Sequence, residues 1–254
     1  MRYLKKVVVC LTFITLVVSL TACASRTAKK SVTSQSNDSK SGKKHNLDYD
    51  DQKDWKFESG DSQSPINIDT TKVENMTDNG TIALNYATDF EKVVDNGHSI
   101  EAEIKGSAEI NGRKYKLKQF HFHAPSEHEI DGKHFPLEVH FVNQAQDGRL
   151  AVIAAMFQEG EANATFQSIL DHIDSDTSGA VALTDLLPID QDYYHYNGSL
   201  TTPPLSENVE WYVMKHPVTL SSEQLKAFRH YYDDNNRKIQ ETNHRTILSH
   251  DDLG

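Results

Sequence analysis

From Leu47 onward the chain is built of short apolar segments, often alternating with polar positions, and separated by turn signals. Six Asx-Gly dipeptides punctuate it: Asn79-Gly80, Asn96-Gly97, Asn111-Gly112, Asp131-Gly132, Asp147-Gly148 and Asn197-Gly198. Such pairs favour the tight turns of hairpins because they tolerate positive φ. Between them, Ser99–Ile104 and Ala108–Ile110 are expected to pair with Tyr115–His123, and Leu137–Asn143 with Leu150–Phe157. Val209–Lys215 reads as a further strand. Helical spacing is confined to Ala162–Ile173 and to Ser221–Tyr232, where a Ser precedes Glu and Leu225 and Phe228 share a face. The pattern therefore predicts a mainly β protein: one domain over residues 47–254, antiparallel, with short peripheral helices.

The front of the chain is different. Basic residues 1–6 lead into the apolar run Val7–Leu20. That run is shorter than the ~20 residues a spanning helix needs and fits the apolar stretch of a secretory signal. It ends in Leu20-Thr21-Ala22-Cys23, which resembles a bacterial lipobox. Residues 1–22 are thus expected to be a removable lipoprotein signal, with Cys23 lipidated and anchoring the protein outside the cytoplasmic membrane. Residues 24–46 are polar and nearly free of apolar side chains. Together with Cys23 they read as a tether, since such a stretch cannot offset its ordering entropy.

Charge sharpens this division. The net charge of −11 is uneven: +3 in residues 1–22 and +5 in residues 23–46, which leaves −19 for residues 47–254. So acidic a body argues against a nucleic-acid partner. Both cysteines, Cys10 and Cys23, lie in the front segment, so no disulfide supports the body.

The densest chemistry lies in Gln119-Phe120-His121-Phe122-His123. On a strand, Gln119, His121 and His123 share one face and the two Phe the other. In Leu137-Glu138-Val139-His140-Phe141, Glu138 and His140 likewise share a face. Placed on a neighbouring strand, His140 supplies a third nitrogen. Three His ligands with an open fourth position describe a catalytic zinc site. Gln119 and Glu138 are positioned to accept the outer N–H groups of the ligands. His121-x-His123-x3-Glu127 also resembles the first metal motif of the cupins, another β fold, although no Gly/Pro-rich second motif surrounds His140.

Taken together, the motifs resemble those of the α-class carbonic anhydrases. Gln119–His128 resembles the family's ligand strand, and Glu138-Val139-His140 its third-ligand segment. Ser62–Ile68, Asn96-Gly97-His98, Tyr196–Pro204, Trp211 and Asn243-His244-Arg245 match further motifs in the family's order, from about Tyr49 to Ile247. The resemblance implies a large twisted, mostly antiparallel sheet and a zinc ion that lowers the pKa of a bound water to about 7, a figure that belongs to this family. The resulting zinc-bound hydroxide would hydrate CO₂ reversibly to bicarbonate and a proton. It further implies that Thr201 and Glu127 orient the attacking oxygen and that Thr202 contacts bound anions. Val142, Val152, Leu200, Val209 and Trp211 would form an apolar wall for CO₂. His98 would carry the proton out along a path held by Tyr49 and Asn96, and Asn243 would stand behind the ligands. A binding module that has lost catalysis is the contrasting class, and both a monomer and a homodimer fit the sequence.

Three departures from the family accompany this. Glu101 stands where an uncharged polar residue is usual, Leu47 where a Trp often precedes the matching Tyr, and Leu205 where many bacterial members carry a disulfide Cys. The spacing from Asp174 to Asp185 imitates a calcium loop, but it ends in Asp rather than Glu and lacks a flanking helix pair.

Overall fold

The computed structural model describes residues 47–57, 60–77 and 79–251. Cys23, the signal and the tether lie outside the described residues. In chain order the strands are β1 (Asn67–Ile68), β2 (Glu74–Asn75), β3 (Ile82–Asp95), β4 (Ile100–Ile110), β5 (Arg113–His123), β6 (Glu129–Ile130) and β7 (Leu137–Ala145). They continue as β8 (Leu150–Glu159), β9 (Gly179–Ala180), β10 (Tyr193–Ser199), β11 (Glu207–Met214), β12 (Val218–Leu220) and β13 (Leu248–His250). Helices are short: α1 (Ala164–Asp171), α2 (Leu183–Leu186) and α3 (Ser222–Arg229). Among the described residues no helix is long and apolar enough to cross a membrane.

One large sheet runs β2-β13-β10-β11-β8-β7-β5-β4-β3-β9, with β12 on the end of β8. Its centre is antiparallel, and parallel pairing enters where β11 and β12 meet β8 and where β13 meets β2. The predicted β4–β5 and β7–β8 hairpins form around Asn111-Gly112 and Asp147-Gly148. Asn111 and Gly112 take φ of 49° and 76°, the positive pair such a two-residue turn requires. Two Asx-Gly expectations are corrected. Asn79-Gly80 leads into β3 without pairing it to β2, which instead joins β13. Asn197-Gly198 lies inside β10. There a Cβ on residue 198 would stand 2.1 Å from Ser64 Oγ, so the glycine serves a close approach rather than a turn.

The sheet is apolar on both faces. Phe120, Phe122, Phe141, Ile153 and Phe157 join Phe166 of α1 and Phe228 of α3 in one core. The Phe122 ring lies 5.2 Å from that of Phe166 and 6.1 Å from that of Phe228. α1 starts at Asn163, whose side chain accepts from Phe166 N, and α3 at a Ser221–Gln224 capping box. Val152, Ala154, Val209, Trp211 and Val213 face the other way, with Tyr196 and Ile66. A register shift between Leu117 and Gln119 in β5 sets which residues go where. It lets Leu117 and Phe120, three positions apart, both enter the helix-side core. Gln119, His121 and His123 are thereby turned to the opposite face, the re-aiming that a bulge produces.

Candidate metal centre

Cross-strand neighbours line up in two rows on that opposite face. One row reads Glu101, His121, His140, Ala154, Val213 across β4, β5, β7, β8 and β11. The next reads Gln119, Val142, Val152, Trp211, Tyr196. The three predicted ligands therefore converge: ring nitrogens of His121, His123 and His140 lie within 4.8 Å of one another. Each ring spends its other nitrogen on an oxygen. His121 Nδ1 donates to Gln119 Oε1 at 2.9 Å, His123 Nδ1 to the carbonyl of Asn235 at 2.6 Å, and His140 Nε2 to Glu138 Oε1 at 2.8 Å. These bonds fix the tautomers and leave His121 Nε2, His123 Nε2 and His140 Nδ1 for a common ligand.

Unpaired buried atoms mark the same spot. Buried side-chain atoms without a partner are rare in folded proteins, and three occur among the described residues. Two of them, His123 Nε2 and Glu127 Oε2, are here, 3.6 Å apart. Burial and the neighbouring rings hold His121 well below the ordinary histidine value, and burial lowers His123 against the pull of Glu127. Both imidazoles are thus kept neutral, the form in which histidine binds a metal. Three neutral imidazole nitrogens, borderline donors that leave a fourth position open, fit a zinc ion.

A second cluster, His128, Glu138 and His140, has ligand-type atoms equally close. Its atoms already bond one another: Glu138 Oε1 accepts from His128 Nδ1 and His140 Nε2 at 2.8 Å each. Glu138 Oε2 accepts the backbone N–H groups of Glu127 and His128. Burial opposes the Glu138 charge, but the two imidazoles and their hydrogen bonds keep its carboxyl well below the ordinary range. Neither cluster includes the Asp174–Asp185 segment, where Asp185 Oδ2 instead accepts from Thr165 Oγ1.

The family description "Eukaryotic-type carbonic anhydrase" matches residues 50–251. The chain belongs to the α-class carbonic anhydrases. It is 42% identical over 200 residues to the carbonic anhydrase of Pectobacterium atrosepticum, covering 75% of this chain and 81% of that one. Among solved structures, the α-carbonic anhydrase of Thermovibrio ammonificans in complex with sulfanilamide superposes with a TM-score of 0.69. That match has 38% identity and covers 74% of this chain and 87% of the other. The α-carbonic anhydrase of Photobacterium profundum gives 0.67 at 39% identity over 74% and 89%. Membership in this family sets the cupin reading aside and makes the chain a carbonic anhydrase enzyme acting on CO₂ and bicarbonate.

The remaining predicted residues of this carbonic anhydrase fall around the three histidines in different ways. Val152, Val209 and Trp211 are buried in one cluster, with Val142 and Leu200 packed against it half-exposed. Trp211 Nε1 donates to the carbonyl of Ser199, and its ring meets that of His140 edge-on at 4.9 Å. Thr201 is buried and Thr202 half-exposed in the loop after β10. Glu127 Oε1 accepts from Arg237 N at 2.7 Å, but among the described residues no hydrogen bond joins Thr201 to Glu127. The free Glu127 oxygen instead lies 3.6 Å and 3.9 Å from His123 Nε2 and His140 Nδ1, two of the three nitrogens left for the common ligand.

His98 is half-buried in the β3–β4 turn. Burial lowers its pKa from the ordinary 6.5, with Asp95 opposing. Asn96 Oδ1 accepts from His98 N and Ser99 N, and Tyr49 Oη reaches the His98 carbonyl at 3.4 Å. The placement of Asn243 is corrected. It is exposed, and its amide donates to the carbonyl of Asp61, so it ties down a surface turn. The position behind the ligands belongs to Asn235, which the sequence reading passed over. Asn235 Oδ1 accepts from Ala124 N, and its Nδ2 donates to the carbonyls of His98 and Phe122. It therefore joins the His98 turn to the ligand strand. Arg237 was also missed: buried, it holds Glu127 through its backbone and Gln63 and Ser64 through its guanidinium. Asn235 and Arg237 sit in a polar run, 233–238, that hydropathy assigns to solvent.

Proposed function

We propose that this protein hydrates CO₂ reversibly with a zinc ion held by His121 Nε2, His123 Nε2 and His140 Nδ1, on the outer side of the cytoplasmic membrane. The observation that carries the reading is the set of three free ring nitrogens, each backed by an acceptor, beside an unpaired Glu127 oxygen. Bound there, zinc supplies the acidity that brings a water to a pKa of about 7. Glu127 Oε2 has an open lone pair for the Thr201 hydroxyl, a contact that would orient the attacking oxygen. The apolar wall from Val142 to Trp211 suits an uncharged substrate, and Thr202 lies in the adjoining loop for the anionic product. Support for the location comes from residues 1–46: a signal-like run, Cys23 as a lipid anchor and a basic tether suited to anionic headgroups.

Metal analysis of the purified protein together with a CO₂-hydration assay tests the reading. About one zinc per chain and hydration well above buffer are expected; an inactive protein with little zinc ends it. Mass spectrometry of the mature N-terminus tests the anchor, which fails if the chain begins at an unmodified residue other than Cys23.

His98 is assigned the proton exit because it is half-buried in the β3–β4 turn, held there by Asn96 and Tyr49, and an imidazole is the side chain whose ordinary pKa of about 6.5 suits a proton relay. His98→Ala should lower turnover by about tenfold or more in dilute buffer, the scale of a lost proton-transfer group. Added imidazole should restore it. An unchanged rate in dilute buffer would remove His98 from the path.

A further inference from the structure

Glu101 is the family departure that the sheet places closest to the chemistry. It lies on β4 directly opposite His121 on β5. Directly opposed residues of an antiparallel pair project to one face, with Cβ atoms about 5 Å apart. Its chain neighbours Ile100 and Ala102 enter the helix-side core, so Glu101 is turned toward the metal centre. It therefore extends the row His121–His140 by one position on the ligand face of the sheet.

The charge of Glu101 is poorly balanced. Its carboxylate is half-buried, and burial is the main influence raising its pKa above the ordinary value. The hydrogen bond it receives comes from a neutral group, Asn96 Nδ2, at 3.1 Å. Lys92 acts on it from β3, but the Lys92 ammonium pairs with Glu103 at 3.0 Å. Taken together, Glu101, Glu103 and Lys92 leave one net negative charge beside His121.

We propose that Glu101 is a specificity-determining residue whose negative charge weakens the binding of small anions at the metal centre while leaving neutral ligands unaffected. This rests on the metal-centre reading above. CO₂ is uncharged, whereas bicarbonate and competing inorganic anions are not, so the carboxylate acts on product and competitors and spares the substrate. A single charge beside a partly exposed site changes anion affinity about fivefold at low salt, and less as salt screens it.

The test is a thiocyanate titration of the full cobalt-substituted protein at low ionic strength, followed by its visible absorption. Imidazole at pH 8, where it is uncharged, serves as the neutral probe. Glu101→Gln keeps the shape and an acceptor for Asn96 Nδ2. It should bind thiocyanate about fivefold tighter, with imidazole unchanged and the difference shrinking as salt is raised. Glu101→Ala removes the same charge without the amide and should shift the same way. Equal thiocyanate affinity in wild type and both variants overturns the assignment and leaves the metal centre standing. Equal tightening of thiocyanate and imidazole also overturns it, because that result reports an altered site rather than a removed charge. Failure of the wild-type protein to bind cobalt or zinc overturns the metal centre and this proposal together.

Discussion

Replacing His140 with Ala is expected to bring CO₂ hydration down to the level of buffer and to leave purified protein with metal well below one equivalent. His140 couples the two halves of the site. Its Nδ1 faces the shared ligand position while its Nε2 is tied to Glu138. Its ring centroid lies 5.2 Å from that of His121, 4.7 Å from that of His123 and 4.9 Å from that of Trp211. Loss of an outer partner of a metal ligand alone costs about 10–100-fold in affinity or activity. Loss of the ligand should therefore exceed about 100-fold in both. The variant also opens space beside Trp211, so a melting curve belongs with the assay. A folded variant retaining full zinc and full activity would remove His140 from the ligand set.

Ligand placement was legible because period-2 alternation carries it. Once Phe120 and Phe122 are assigned to a core, His121 and His123 must face away from it, and Glu138 and His140 follow by the same rule on β7. The hairpins were legible where the Asx-Gly pair takes positive φ, as at Asn111-Gly112. Asn197-Gly198 shows the limit of that signal. The same dipeptide satisfies a close approach between strands, and only the packing of Ser64 against β10 distinguishes the two uses.

Long-range polar contacts were not legible at all. Asn235 reaches His123, Ala124, Phe122 and His98 from more than a hundred residues away, and nothing in its neighbours Asp234 and Asn236 marks it as buried. Asn243 misled for the converse reason. It belongs to a recognisable motif, but its side chain secures the backbone of Asp61 on the surface. The motif's Arg245 instead holds the carbonyls of Gln63 and Asn197. Sequence pattern thus located the residues that alternate on strands. Residues that cap loops from afar had to be found in three dimensions.

The buried Glu138 gives the second large effect, on stability as much as on metal. Four donors converge on its carboxylate: the backbone N–H groups of Glu127 and His128, and the rings of His128 and His140. The network continues from His128 Nε2 to the Tyr196 hydroxyl at 2.7 Å and on to Ser64 Oγ at 2.8 Å. Glu138→Ala leaves those donors buried without an acceptor. Each such donor costs about 1–3 kcal/mol. Because the four donors act as one unit their costs do not add, so the metal-free protein is expected to lose about 3–5 kcal/mol in denaturant unfolding. Metal affinity should fall about 10–100-fold as the His140 ring loses its anchor. Glu138→Gln retains the volume but points an NH₂ group at donors, and should fall between the two. Gln119→Ala provides the contrast. Gln119 also backs a ligand, yet it is partly exposed and its loss frees the His121 Nδ1–H toward water. It should weaken metal binding while changing metal-free stability by less than about 1 kcal/mol. If Glu138→Ala and Gln119→Ala unfold at the same denaturant concentration without metal, the Glu138 network is not what holds β7 against the Glu127–His128 turn.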